Sequence, residues 1–515
     1  MRISKISRKS VFYSLFAIAA SNTFLQLLGF IYRVFLSRIT GAEGMGVYQL
    51  VMPFYSILNS ITLAGLTVAV ARISAATSSR GDAIGARRAV MLSRRCFFIL
   101  VFFLAFITVS GREFVSVGIL GDKRTEAALP IAFFCLFLTG IENIFKNYFY
   151  GVGSVAPQIT SEISEQIIRA GAVAALLLIK RPDDAGEAAA LIFLGMTISE
   201  LSSAFVLTAF YQPEKKKLSK ARAKKVTVRE VISIAAPVSG AATLGNLMSS
   251  FNSVLIPRRL IAAGLSRKLA TESFGVMFGM TMPLLSFPIA FIASLTSVMV
   301  PKISEQIASG NTAELRRKAG KTIHATSLLA LPCIALLIPL GEPLCRLIFN
   351  HPSAGGFMLP LCVGTLLSYY SMTTAALLNG AGFQGRAAAY TVLGGIVQLF
   401  FTYLVGFPGI GISGFVIGYV ISSGITAVLN FLCLVRKFGL RPRFSNWFAT
   451  PLLASVFSAL ICNIAYDGII ARTLNEAGAV MVAGTIGLFA YALALSALGT
   501  NLSGYIKSLI PKGRY

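Results

Sequence analysis

The sequence predicts an all-α membrane protein of about 14 transmembrane helices: two six-helix lobes related by a parallel pseudo-twofold repeat, plus two C-terminal helices. Three observations carry that expectation. Of 515 residues, 55% are hydrophobic and only 13% charged, with a mean hydropathy of +0.75; a soluble chain of this length needs far more charge to cover its surface. Apolar runs of about 20 residues recur from end to end, each long enough to cross ~30 Å of hydrocarbon as a helix. A set of residues also recurs in order at one offset along the chain. Strands of a β-barrel would instead alternate apolar and polar residues over about 10 positions.

The apolar runs start near residues 11, 46, 91, 127, 157, 188, 231, 275, 322, 357, 387, 412, 448 and 479. Polar, Gly- or Pro-containing connectors separate them. At the N-terminus, Arg2, Lys5, Arg8 and Lys9 precede an apolar stretch, and Ala17-Ile18-Ala19 resembles a cleavage site. The apolar run continues unbroken to Phe35, so it reads as an uncleaved first span. The N-terminal six-helix lobe is placed at 1–212, a basic cytoplasmic linker at 213–230, the C-terminal six-helix lobe at 231–437, and two additional helices with a cytoplasmic tail at 438–515.

The repeat supports those boundaries. Glu43, Gly46-Val47, Pro53, Leu66-Thr67 and Arg72-Ile73-Ser74 return as Glu272, Gly275-Val276, Pro283, Leu295-Thr296 and Lys302-Ile303-Ser304. Tyr150-Gly151-Val152-Gly153 returns as Asn379-Gly380-Ala381-Gly382, at the same offset of 229 or 230. An even number of spans per copy brings both copies in from the same side, which gives a parallel repeat about an axis along the membrane normal.

Orientation follows from Lys and Arg. With both termini in the cytoplasm, roughly two-thirds of the 46 basic residues fall on cytoplasmic segments. The densest is Tyr211 to Glu230, with Lys215-Lys216-Lys217, Lys220, Arg222, Lys224, Lys225 and Arg229. The net charge of +26 is therefore a topology signal and a contact with anionic membrane lipids. No nucleic acid is expected, because no folded module pairs aromatic residues with the basic runs. A multi-pass protein of the cytoplasmic (inner) membrane, monomeric, is the resulting expectation.

Several motifs mislead. Gly409-Ile410-Gly411-Ile412-Ser413-Gly414 fits a dinucleotide pattern but follows Pro408 in a short connector and lacks the later acid. Gly320-Lys321-Thr322 resembles the end of a phosphate loop, yet the first glycine of that motif would be Leu315, and the segment reads as a basic cytoplasmic loop. Seven scattered cysteines and two distant histidines offer neither redox nor metal spacing. No cofactor is expected apart from a coupling ion, H+ or Na+, and no enzymatic activity.

Eight charges fall inside the expected spans, all in the first half: Arg33, Arg72, Glu142, Lys146, Glu162, Glu165, Arg169 and Glu200. An ionised residue near a helix centre costs ~2.5–3.5 kcal/mol, so each needs a partner or a wet cavity. Glu142 and Lys146 are four apart on one helix face, as are Glu165 and Arg169, with Glu162 one turn earlier. These read as structural ion pairs or as residues of the transport site. Arg72 lies near a span end, and Glu200 reads as a lone proton-binding carboxyl. Arg33 has no acid nearby on its own helix. It is either an interfacial anchor or a cavity arginine whose planar fork suits a phosphate. Glycoside chemistry at Glu162 and Glu165 is excluded, as both lie in an apolar span with no outer domain to hold a sugar chain.

Leu28-Gly29-Phe30-Ile31-Tyr32-Arg33 followed by Gly41-Ala42-Glu43-Gly44-Met45-Gly46-Val47-Tyr48 resembles the first-span signature of the stage V sporulation protein B family of polysaccharide-biosynthesis transporters. Gly279-Met280-Thr281-Met282-Pro283-Leu284-Leu285 with Val300-Pro301-Lys302-Ile303-Ser304-Glu305 resembles its eighth span, and Glu165-Gln166-Ile167-Ile168-Arg169 its fifth-span motif. The superfamily also holds multidrug extruders and lipid II flippases. The resemblance implies a V-shaped pair of lobes that moves an undecaprenyl-linked oligosaccharide or peptidoglycan precursor outward by alternating access, with the last two spans beside the lipid tail. Taken with the charges inside the spans, it leaves Arg33, Glu142, Lys146, Glu165, Gln166 and Arg169 as the substrate-site candidates, with Arg33 and the Glu165-to-Arg169 motif carried by the resemblance and Glu142 and Lys146 by their place in a span. Lipid II flippases carry cavity arginines in several spans, including the second and eighth. Here the second reads Tyr55-Ser56-Ile57-Leu58-Asn59-Ser60 and the eighth has no charge, which counts against lipid II and not against another lipid-linked glycan. A cation-coupled multidrug or small-molecule antiporter is the alternative. A glycan polymerase would want a longer outer loop.

Overall fold

The computed structural model describes residues 8–78, 80, 82–216, 226–470 and 475–500, all helix or connector with no strand among them. Residues 217–225 of the basic linker and the tail 501–515 lie outside the described residues. Eleven helices among the described residues are long and apolar enough to cross a membrane. The chain is a multi-pass membrane protein, and its body divides into two compact units, Met1–Gly279 and Met280–Tyr515.

Unit 1 holds α1 (Arg8–Asn59), α2 (Gly65–Ser78), α3 (Ala83–Ser110), α4 (Ala128–Gly151), α5 (Ala156–Lys180), α6 (Ala185–Lys216), α7 (Val228–Ala262) and α8 (Arg267–Gly275). A π-helical turn over Ser60–Ala64 joins α1 to α2. The apolar stretch Phe24–Ser78 has 55 residues, about 80 Å at 1.5 Å per residue, room for two crossings of a ~30 Å core. It turns at Gly41, whose φ of 67° and ψ of −177° lie where a Cβ is disfavoured. Side-chain caps fix other starts: Asp82 accepts from the Gly85 N–H, Thr227 from Glu230 and Ser266 from Leu269.

Helix α7, which the sequence assigns to the second half, packs in unit 1 against α1, α2 and α3. The reason is a bare backbone: a Cβ on Gly65 would stand 1.9 Å from the Ala235 carbonyl oxygen. Ser239 Oγ accepts from the Gly65 N–H at 3.0 Å. Asn246 and Ser250 donate to the carbonyls of Ser56 and Pro53 at 3.2 and 3.0 Å.

Unit 2 holds α9 (Met282–Ser286), α10 (Ile289–Ala308), α11 (Thr312–Phe349), α12 (Met358–Gly380), α13 (Gln384–Leu404), α14 (Ser413–Phe438), α15 (Thr450–Ala465) and α16 (Glu476–Ala497). The last two helices dock on α11. Tyr491 donates to the Leu328 carbonyl at 3.1 Å, and Ser458 to that of Gly487 at 2.6 Å. The chain's one tryptophan, Trp447, sits over Gly320, where a Cβ would meet its ring at 2.4 Å. Gly320-Lys321-Thr322 is thus helical, and the loop expected there is corrected: Asn311 caps α11 nine residues earlier, accepting from Glu314. Gly409 and Gly411 have φ of 84° and 51°, a turn between α13 and α14 and not a nucleotide loop.

The duplicated stations make matching contacts. A Cβ on Gly151 would meet Ala71 oxygen at 2.5 Å and Ser74, and one on Gly380 would meet Val300 oxygen at 2.8 Å and Ile303. Gly380, Val300 and Ile303 lie 229 after Gly151, Ala71 and Ser74, one residue off the offset of 230 that aligns Ile73-Ser74 with Ile303-Ser304. Helix pairs match too: α2 on α4, α4 on α6 and α5 on α6 recur as α10 on α12, α12 on α14 and α13 on α14. The copies also meet. Gly46 would strike Thr271 oxygen at 2.2 Å and Gly275 would strike Ala42 oxygen at 1.9 Å, a reciprocal contact between equivalent positions.

Candidate functional site

Helices α4, α5 and α6 pack together because small residues face large ones. Gly195 on α6 lies against the backbone of Val173 on α5, where a Cβ would come within 2.3 Å of the valine methyl. One turn on from that contact, the two antiparallel helices bring Arg169 beside Ser199 and Glu200. Arg169 donates to Ser199 Oγ at 3.3 Å and to Glu200 at 3.1 Å. It also pairs with Glu165 on its own helix. Lys146 of α4 pairs with Glu142 and reaches Glu165 across to α5 at 3.0 Å. The result is one line of alternating charge: Glu142, Lys146, Glu165, Arg169, Glu200.

Both pairs read at i,i+4 spacing are formed, and two contacts between helices join them. Glu200, expected to stand alone, is an end of this line; the correction follows from the α5–α6 approach, which no single-helix spacing reports. Glu142, Glu165 and Glu200 are 1%, 8% and 5% exposed. One oxygen from each lies within 4.8 Å of the others. From α1, Tyr55 bonds Thr139 of α4 at 2.8 Å, and the rings of Tyr48 and Tyr55 lie 5.9 Å from Phe193 of α6. The Tyr32 hydroxyl is buried beside them without a bonding partner among the described residues. Glu162 accepts from Gln158 at 3.1 Å and stays off the line. Gln166 is half-buried on α5, and Arg33 is half-buried on α1.

In the second copy the same positions carry no charge. At the offset of 229, Glu142, Lys146, Glu165 and Arg169 fall on Ser371, Ala375, Gly394 and Gln398. Gln398 accepts from Ser422 on the adjacent helix at 3.0 Å, a neutral bond between the helices that correspond to α5 and α6, though at a different position from Ser199.

A second polar network gathers at another end of unit 1, and sequence spacing does not reveal it. Arg124 donates to Asp122 at 2.7–3.2 Å, to Glu43 at 2.5 Å and to Thr271 at 3.3 Å. Hydrogen bonds to Asp122 first, then to Glu43, raise the Arg124 pKa above its ordinary value against the opposing effect of burial. Arg258 donates to the Val117 and Ile119 carbonyls at 3.3 and 3.0 Å, and Arg267 to Gly121 at 3.1 Å. These bonds tie residues 258–271 to the 117–124 connector and to Glu43.

The profile of the polysaccharide biosynthesis protein family matches residues 11–307, more than half of the chain. The chain belongs to the polysaccharide biosynthesis protein family. Both networks lie inside the matched residues. Among similar proteins of this kind, stage V sporulation protein B of Bacillus subtilis (strain 168) is 25% identical over 418 residues, covering 80% of this chain and 81% of that protein. The lipid II flippase MurJ of the same organism is 21% identical over 414 residues, covering 75% of each. Among solved structures, an inward-facing multidrug resistance MATE family transporter of the MOP superfamily matches with a TM-score of 0.63 at 18% identity, over 81% of this chain and 94% of that one. A MOP superfamily transporter from Pyrococcus furiosus matches with a TM-score of 0.60 at 17% identity, over 83% and 95%. This polysaccharide biosynthesis family member therefore has the MATE-like fold of a membrane transporter.

Proposed function

We propose that the chain is a flippase of the cytoplasmic membrane, moving an undecaprenyl-linked oligosaccharide or related cell-envelope precursor by alternating access and making no covalent bond. The family match over residues 11–307 carries this reading. The likeness to a protein named a lipid II flippase, over 75% of each chain, supports the lipid-linked substrate class.

Arg33 is the residue proposed for the substrate diphosphate. Lys146 and Arg169 each already touch two carboxylates, so their charge is spent within the protein. They act with Glu142 and Glu165 by shaping the lobe, and Gln166 offers a neutral amide beside them. Arg33 has no such partner in its helix, and a guanidinium binds two phosphate oxygens at once.

The test uses purified protein in liposomes carrying a fluorescent undecaprenyl-diphosphate sugar, with quenching of the outer leaflet by a membrane-impermeant reductant. Wild type is expected to scramble or translocate the probe. Arg33→Ala abolishes this while remaining folded, and Arg33→Lys recovers part of it, because a point charge replaces a two-pronged donor. Transport of cationic drugs without any movement of the lipid probe would replace this reading with that of a multidrug antiporter.

A further inference from the structure

The line of five charges in α4, α5 and α6 is one positive charge short. Each base touches two acids, and Glu165 touches two bases, so the two ends are the acids Glu142 and Glu200. Those ends turn toward one another, with oxygens of Glu142, Glu165 and Glu200 within 4.8 Å. Oε2 of Glu200 and Oε2 of Glu142 are buried with no hydrogen-bond donor among the described residues, while Oε1 of Glu142 faces the Lys146 ammonium. Fully ionised, three carboxylates and two bases leave one negative charge among buried apolar helices, a cost of several kcal/mol. One added positive charge between Glu142 and Glu200 supplies both the missing donor and the missing charge.

We propose that this charge is a single exchangeable proton shared by Glu142 and Glu200, and that the cluster is the coupling-ion site of the transporter. The role in transport rests on the flippase reading; the proton itself does not. A hard metal cation takes about six oxygen ligands and would sit against the Lys146 ammonium and the Arg169 guanidinium. A proton needs no added volume and closes the ring with an O–H···O bond.

Apart from Lys146 and Arg169, no charged side chain among the described residues is ion-paired with Glu142 or Glu200; Arg33 of α1 lies near the Tyr32 and Tyr48 phenols. Around the pair stand Lys146 and Cys135 of α4, Glu162, Glu165 and Arg169 of α5, and the phenols of Tyr32, Tyr48 and Tyr55 of α1. From α3, Arg94 lies 5.6 and 5.5 Å over the Phe98 and Phe145 rings; from α2, Arg72 is exposed. Lys146 and Arg169 are 12% and 16% exposed at the side chain, so the cluster is not fully sealed within the protein. The neutral residues at the equivalent positions, Ser371, Ala375, Gly394 and Gln398, indicate that helices packed in this way do not need the charges to fold.

The experiment is infrared difference spectroscopy on the full-length protein in lipid nanodiscs, stepping pH in sodium-free buffer. No substrate is present, so a failed flippase assay leaves the result intact. Wild type is expected to have one buried protonated-carboxyl stretch that disappears reversibly as pH rises. Glu142→Gln and Glu200→Gln, both isosteric, are each expected to lose that band, and Glu43→Gln to keep it. Because the wild-type spectrum needs no variant, misfolding of either one leaves the proposal open to refutation. Absence of a titrating carboxyl band, or its survival in both variants, overturns it. Loss of the band on adding sodium at fixed pH also overturns it and assigns the site to a sodium ion.

Discussion

Removing Arg169 tests whether charge balance in the α4–α6 cluster holds this part of the protein together. The guanidinium touches Glu165 and Glu200, and the three side chains are 16%, 11% and 6% exposed. An exposed ion pair is worth ~0–1 kcal/mol. Truncating one partner of a buried pair costs about 3–5 kcal/mol, because the other charge is left uncompensated. The low exposures place Arg169→Met in the second class. The variant leaves three acids on one base, and Glu200 loses the cation it touches. Adding Glu200→Gln leaves two acids on one base, the same imbalance as wild type. The double variant is therefore expected to regain most of the loss, with a coupling of about 2 kcal/mol or more in the cycle. Glu200→Gln alone, which removes the unbalanced acid, is expected to be close to neutral. Denaturant or thermal unfolding of detergent-solubilised protein reads all four species. If Arg169→Met unfolds with wild type, or Glu200→Gln fails to rescue it, the charges are not balanced as argued.

Glu165→Gln leaves two complete pairs, Glu142–Lys146 and Arg169–Glu200, and no net charge, so it is expected to lower stability less than Arg169→Met in the same unfolding assay; a loss as large would put the link between helices, and not charge balance, in control. Gly275→Ala forces a methyl to 1.9 Å from the Ala42 carbonyl and should cost about 1–3 kcal/mol, whereas Gly171→Ala, with nothing within 4 Å, should be neutral or slightly stabilising; equal melting of the two would remove the glycine contact from the account. Arg124→Gln is expected to open the Glu43–Asp122–Thr271 network, so that a cysteine at Thr271, 1% exposed in the intact protein, becomes reactive to a water-soluble maleimide; unchanged labelling would show that Arg124 does not hold these residues together. Cysteines placed at Lys216 and Asp184 in a cysteine-free background are expected to label from opposite sides of intact cells, and labelling of both from outside would reverse the proposed orientation.

The helical membrane fold was legible because hydrocarbon thickness acts on composition directly: a span must be apolar for about 20 residues whatever it packs against. The breaks within spans were not. Gly41 turns one continuous helical stretch into two, and nothing distinguishes it beforehand from Gly29 or Gly46. The run near residue 275 resolves into α8, a π-helical segment over Val276–Thr281, α9 and α10, since a window of hydropathy averages over turns. Helix α7 went to the first unit because Gly65 admits the Ala235 backbone, a contact between residues 170 apart in sequence. In the cluster, the pairs at i,i+4 spacing could be read along each helix. Glu200 and Arg124 could not, because their partners come from other helices. The imbalance was not legible either: the eight in-span charges are four acids and four bases, and only the packing of α4, α5 and α6 selects the five that are left one base short.

The two copies separate what the fold requires from what it does not. Gly151 and Gly380 recur because in each copy a backbone carbonyl, of Ala71 or Val300, occupies the space a Cβ would fill. Gly46 and Gly275 recur because they meet each other's copy in the same way. These are steric demands of the helix packing, and both copies meet them with the same residue. The charges behave otherwise. The packing of α4, α5 and α6 is reproduced by α12, α13 and α14, yet Arg169 is matched by Gln398, whose bond to Ser422 at 3.0 Å joins the same pair of helices without an ion. An amide does that work at far lower desolvation cost than a guanidinium flanked by carboxylates. Stability alone therefore favours the second copy's solution. Retaining five ionisable groups in the first, with one charge unbalanced, is understandable if the unbalanced charge is what the cluster exists to bind and release.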